Sequence, residues 1–221
     1  MSLPRKLLSI VLYQDVLCAW SYLAEGRLSP LREELSHLVA FHTRPFALRP
    51  REKRPSPREL ESWSKEILRA RQEPDGSALS TALWEEGDPP CSSVPALAAL
   101  EAARLQGGGA RQHLSRKMRK AALEQGVNVS RTDVVLELAS QLGFDMNRFT
   151  AAFFSPETHR LILEEHKLAA ARGIKGVPTL VLGGRWMLAG LRRTAEYREH
   201  ILSCLAKSAS RPDGLTDRTV H

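Results

Sequence analysis

The sequence predicts an α/β fold in which both ends of the chain build a small sheet around a large all-helical insertion. Three observations carry this. The run Leu7–Tyr13 is short, apolar and rich in strand-forming residues, and Trp20, Leu23, Ala24, Leu28, Leu31, Leu35 and Leu38 follow it at helical spacing. Between Ser56 and Gly173 almost every strong signal is helical. Strand character then returns at Thr179–Leu182. With 221 residues, 43% of them hydrophobic, the chain can bury one large core or a core with a satellite subdomain.

The elements follow in order. Val39 to Phe46 alternates apolar and polar and reads as a second strand, with Pro45 near an edge or the strand's end. Arg51 to Pro57 is charged and proline-rich, hence a loop whose basic residues read as a solvated linker, within the one compact basic stretch, Arg49 to Arg58. Pro57 and Glu59 open a helix with Leu60, Trp63, Ile67 and Leu68 on one face. Glu73 to Pro90 holds several prolines and two glycines, so it is an irregular connector with at most a short helix at Leu79–Trp84. A helix begins near Ser93 with Pro95 in its first turn, and Gly107-Gly108-Gly109 ends it. Another carries Leu114, Met118, Ala121 and Ala122 and stops at Gly126. Ser130, with Asp133 three residues on, is the expected cap of a helix closed by Gly143. A short helix spans Met146–Phe154, and Ser155-Pro156-Glu157 starts a long one to Arg172. Gly183-Gly184 reads as a two-residue hairpin turn between Thr179–Leu182 and a return strand at Arg185–Leu188. Thr194 is the expected cap of a last helix carrying Tyr197, Ile201 and Leu205.

Two stretches carry chemistry. Asp15-Val16-Leu17-Cys18-Ala19-Trp20-Ser21 places Cys18 where a buried strand gives way to a helix. Unpaired N–H groups of a first helical turn favour negative charge, so the expected pKa of this thiol is lowered. The other reading is an inert, half-buried cysteine. Far downstream, Gly173-Ile174-Lys175-Gly176-Val177-Pro178 is a glycine-rich turn suited to a cis proline ahead of an apolar strand.

Strand, Cys-x-x-Ser and helix at the front, with Val-Pro-strand at the back, resemble the thioredoxin-like fold. Over roughly residues 7 to 205 the chain looks like the DsbA family, in the branch of FrnE-type dithiol oxidoreductases, kappa-class glutathione transferases and 2-hydroxychromene-2-carboxylate isomerases. Phe46-Ala47-Leu48-Arg49-Pro50, Ser93-Val94-Pro95-Ala96-Leu97 and Leu123–Ser130 are similar to stretches of that branch. The resemblance implies a first thioredoxin-like half at 1–50, a helical insertion domain at 51–159 and a second half at 160–208; the polar stretch 209–221, with Pro212 and Gly214, reads as a disordered tail. The resemblance also implies a thiol–disulfide oxidoreductase with Cys18 as nucleophile and Ser21 as its hydrogen-bond partner. Trp20, Val177, Pro178 and Ser93 would form the substrate or glutathione surface, with glutathione a co-substrate and no tightly bound cofactor.

Two departures matter. Ser21 stands where a dithiol enzyme has its resolving cysteine, and a serine cannot resolve a mixed disulfide. Cys91, two residues before Ser93, is the candidate replacement thiol. Gly190-Leu191-Arg192 lacks the acid that holds the γ-glutamyl end in glutathione-binding relatives, which weakens the transferase or isomerase alternative. The other alternative is a binding module whose redox chemistry is lost.

Composition bounds the rest. The net charge of +7 comes from scattered bases, and aromatics make up 6%, so nucleic-acid binding is not expected. His159 and His166 read as surface residues, and the seven histidines show no metal-ligand spacing. No run reaches the length of a membrane helix, and Arg5-Lys6 with its seven-residue apolar run lacks a cleavage site. Cys18, Cys91 and Cys204 are few and odd in number, which fits a reducing compartment. The expectation is a cytoplasmic protein, with relatives pointing to a homodimer and to thiol or disulfide substrates.

Overall fold

The computed structural model describes residues 7–85 and 87–209. The expected tail from residue 210 on, and Arg5-Lys6, lie outside them. Strand β1 (Leu8–Gln14) leads into helix α1 (Ala19–Glu34), and β2 (Val39–Pro45) returns parallel to β1. Helices α2 (Pro57–Ala70), α3 (Ala82–Glu85), α4 (Val94–Ala103), α5 (Ala110–Leu123), α6 (Thr132–Ser140), α7 (Met146–Phe153) and α8 (Pro156–Ala171) follow before β3 (Thr179–Leu182), β4 (Trp186–Ala189) and α9 (Thr194–Ala209). The sheet order is β2-β1-β3-β4, with β3 antiparallel to β1 and β4 antiparallel to β3. Pro45, which has no N–H for a ladder, ends the edge strand β2.

Both faces of β1 are covered, which is why its sequence is nearly continuous in apolar residues. Ile10 and Leu12 pack with Leu28 and Leu31 of α1 and with Tyr197 and Ile201 of α9. Val11 and Tyr13, one residue out of phase, pack on the opposite face with Phe46, Ala169 and Ile174. The helices between β2 and β3 share another core, in which Leu97 and Leu100 of α4 meet Leu114, Met118, Phe149, Phe153 and Ile162. α4 is apolar all round because it lies at the centre of that cluster. Its one acid, Glu101, is held by Arg111 at 2.8 Å and Arg104 at 2.9 Å.

Local signals place most helix ends. Ser56 and Glu59 make a reciprocal capping box at α2. Gly126 and Gly143 follow α5 and α6 with φ of +73° and +70°. Three boundaries differ from expectation. Ser130 does not cap α6: its hydroxyl donates to the Ser92 carbonyl at 2.6 Å, and Arg131 takes the cap position. Leu182 pairs with Trp186, so Gly183, Gly184 and Arg185 form a three-residue turn. Thr194 is the first helical residue of α9, while the preceding Arg193 N–H is held by Glu196 at 2.8 Å.

The basic residues of the expected linker, Arg51, Lys53 and Arg54, are exposed, while Arg49 just before it is buried against the ring of Trp63. One burial expectation is corrected. His159 and His166 are half-buried, the first hydrogen-bonded with the Phe153 carbonyl and the second packed on Phe46. Among the described residues no helix is long and apolar enough to cross a membrane.

Candidate active site

Cys18 is the N-cap of α1. Its backbone N–H donates to the Asp15 carbonyl at 3.4 Å, and its own carbonyl accepts from Tyr22 N–H at 3.0 Å. The sulfur accepts the Ser21 N–H at 3.4 Å and lies 3.4 Å from the Val177 carbonyl, to which a thiol donates. Chain segments 159 residues apart therefore meet at one atom. The Val177–Pro178 peptide bond is cis. Beyond it, Gly190 N–H donates to the Pro178 carbonyl at 2.8 Å and Thr179 Oγ1 to the Gly176 carbonyl at 2.7 Å, which fixes the loop against the sheet.

The expected lowering of the Cys18 pKa is overturned. Burial, at 6% exposure, pushes it above the ordinary value and outweighs the Ser21 hydroxyl and N–H, which favour the thiolate. The Asp15 charge pushes it further up, and Arg119 opposes. The Val177 carbonyl at the sulfur suits a protonated S–H for the same reason. Ser21 is fully buried, and its hydroxyl has no partner of ordinary hydrogen-bond geometry. Its well-formed contact to the sulfur runs through the backbone.

Cys18 opens onto a cavity of about 240 Å³ whose walls include Leu48, Trp63, Ile67, Trp84 and Val177. Trp20 also lines it, half-buried, with its indole N–H donated to Glu66 at 3.0 Å. Trp63 and Trp84 pack ring to ring at 4.5 Å, and the Arg49 guanidinium lies 4.4 Å over Trp63. The larger cleft along β2, about 450 Å³, carries the Arg44–Glu165 and Arg111–Glu101 ion pairs and no cysteine.

Asp15 builds this site from below. It is fully buried, and its two oxygens accept Leu17 N–H at 2.8 Å and Leu48 N–H at 2.7 Å. Ser93 Oγ accepts from Arg49 N–H at 3.1 Å, and the same hydroxyl favours the ionised form of the Asp15 carboxyl. Ser93, expected on the binding surface, is instead fully buried with its hydroxyl engaged inside. Burial raises the Asp15 pKa against those hydrogen bonds. Arg119 of α5, also buried, donates to Gln14 Oε1 at 2.6 Å and to the Asp15 carbonyl at 3.4 Å, and burial lowers its pKa.

The structure thus brings Cys18, Ser21, Trp20 and Val177 together, with Pro178 next in the chain. Cys91 is not among the residues that line their cavity. It sits on the loop before α4, its carbonyl accepting Lys53 N–H, and all three cysteines are free. Sequence reasoning missed Asp15, Arg49, Trp63 and Trp84 as site residues. A usable signal existed, since three of the chain's four tryptophans lie here.

Comparison with known proteins agrees with this fold. A curated relative, the ClpXP adapter protein SpxH of Bacillus subtilis, is 29% identical over 190 residues, covering 80% of this chain and 58% of the adapter. The chain thus spans little more than half of that protein. Among solved structures, a candidate protein disulfide isomerase of Nitrosomonas europaea aligns with TM-score 0.80 at 19% identity, covering 92% of this chain and 99% of that one. The cytosolic disulfide reductase DsbM of Pseudomonas aeruginosa, determined with GSH, aligns with TM-score 0.65 at 21% identity, covering 91% and 98%. The model of the DSBA-like thioredoxin domain matches residues 9–202, and with the sheet, the inserted helices and the strand-to-helix cysteine in place, this chain belongs to the DSBA-like thioredoxin domain family.

Proposed function

We propose that the protein is a thiol–disulfide oxidoreductase working through Cys18 alone. The observation that carries this is the Cys18 sulfur, capping a helix in the wall of an apolar cavity and 3.4 Å from the Val177 carbonyl ahead of Pro178. The thiol first loses its proton to solvent. The thiolate then attacks one sulfur of a substrate disulfide, the S–S bond breaks, and the departing thiolate takes the electron pair and a proton. Cys18 is thereby oxidised to a mixed disulfide and the leaving sulfur reduced. A second thiol, glutathione or a protein thiol, attacks the mixed disulfide and regenerates Cys18. Val177 presents backbone for an extended substrate chain, and Ser21 holds the sulfur. The odd set of three cysteines supports action in the reducing cytoplasm.

The test is mass mapping after incubation with a disulfide. Wild-type protein is expected to gain one adduct at Cys18, Cys18→Ser none there, and a second thiol should release it with turnover. An adduct at Cys91 or Cys204 in place of Cys18 counts against the proposal.

A second reading is favoured by one observation. The Cys18 side chain is buried, at 6% exposure, and that burial disfavours its thiolate, as suits a binding module in which Cys18 fills space. The likeness to the adapter SpxH supports it. Failure of turnover by a protein that still captures a partner polypeptide through this face distinguishes it.

A further inference from the structure

The cavity beside Cys18 has walls that select among disulfides. The charged side chains lining it are Arg49 and Glu66, and both are engaged elsewhere. Glu66 accepts the Trp20 indole N–H with one oxygen and pairs with Arg69 at 2.6 Å with the other. Arg49 donates to the Lys53 carbonyl, lies 3.8 Å from Glu59 and turns its guanidinium face to Trp63. Its unpartnered Nε is sealed from solvent. What remains for an occupant is mainly indole and aliphatic surface from Trp20, Trp63, Trp84, Ile67 and Leu48.

A carboxylate or ammonium entering this space gives up its water, and the charges in the wall are turned away from it, Arg49 face-on to Trp63 and Glu66 onto Trp20 and Arg69. An aromatic ring instead covers apolar surface and gains stacking partners. The volume of about 240 Å³ holds one large side chain. We infer that Cys18 exchanges with disulfides whose cysteine is flanked by a large apolar residue, aromatic above all, and that glutathione disulfide, charged at both ends, is a poor partner. Trp63 is then a specificity-determining residue, since it forms the wall shared by Trp84 and Arg49. This rests on Cys18 being the reacting thiol. The electron balance is that of the exchange above: Cys18 is oxidised, and the leaving half of the probe departs as a thiol.

Three probes test it: two disulfide-linked peptides identical except for Phe or Asp after the cysteine, and glutathione disulfide. The readout is the rate at which each adds to Cys18 of the full-length protein, followed by mass. The Phe peptide should react roughly tenfold or more faster than either charged probe, the scale on which an apolar pocket discriminates. In Trp63→Ala the ratio of Phe to Asp rates should collapse toward one. The wild-type ranking stands as a test without any variant. Glutathione disulfide reacting as fast as the Phe peptide overturns the inference, as does an unchanged ratio in folded Trp63→Ala. If Cys18 reacts with all three at one rate, the exchange reading survives and only the selectivity fails. If it reacts with none, the exchange reading itself falls.

Discussion

One carboxylate oxygen of Asp15 accepts the backbone N–H of Leu48 at 2.7 Å, across a separation of 33 residues. The other oxygen holds Leu17, next to Cys18, at 2.8 Å. A single buried side chain thus joins the turn into α1 to the exit of β2, and both leucines line the Cys18 cavity. Asp15→Ala leaves two backbone donors without an acceptor, each costing about 1–3 kcal/mol. Urea unfolding of this variant should show a loss of roughly 2–4 kcal/mol. A loss under half a kilocalorie would mean that water replaces the carboxylate.

Two buried charges of opposite sign act on Cys18. Asp15 raises the thiol pKa and Arg119 lowers it. The other charged or titratable groups that feel Asp15 are Arg49 and His166. Asp15→Asn should move the pH profile of Cys18 alkylation to lower pH, and Arg119→Gln should move it to higher pH. A purely structural effect would loosen the site and move both the same way, so the opposite signs are the diagnostic result.

Stability should depend on pH through Cys18 itself. Its folded pKa is raised above the ordinary value of 9.0, so folding favours the protonated thiol. The contribution is fully present below pH 9.0 and is lost as pH rises from there through the folded pKa. Comparing wild type with Cys18→Ser across pH 7 to 11 isolates it, because Cys204, also raised by burial, is common to both. Wild type should lose stability faster above pH 9 by up to ~1.4 kcal/mol per pH unit. Parallel curves would show that the thiol ionises equally well in the fold.

Two glycines with the same backbone sign should differ in cost. At Gly143, φ +70°, a Cβ meets nothing within 4 Å, so Gly143→Ala carries only the left-handed backbone penalty of ~1–2 kcal/mol. At Gly126, φ +73°, a Cβ would stand 2.7 Å from Ala82 Cβ and 3.3 Å from Leu83 N. Gly126→Ala should therefore cost more, roughly 3 kcal/mol or above, since the start of α3 has to shift. Thermal melts of the two variants decide it, and equal losses would mean that α3 yields freely.

The sequence by itself determined what is written in local chemistry. Helix spacing, prolines in first turns, the Ser56–Glu59 box and the glycines after α5 and α6 act within a few residues, so they placed the elements and the all-helical insertion. The junction of β1 and α1 placed Cys18, and the Val-Pro turn placed its partner strand. Tertiary structure decided whatever depends on residues distant in sequence. Ser130 was free to cap α6 but found the Ser92 carbonyl, and Ser93 faces inward with its hydroxyl accepting the Arg49 N–H. The acidity of Cys18 was decided the same way. The helix terminus favours a thiolate, yet the Val177 loop and the helices that bring Trp63 and Trp84 bury the sulfur, and that desolvation outweighs it. Loss of water is a property of the assembled walls, contributed from residues 15 to 177, and no local spacing encodes it.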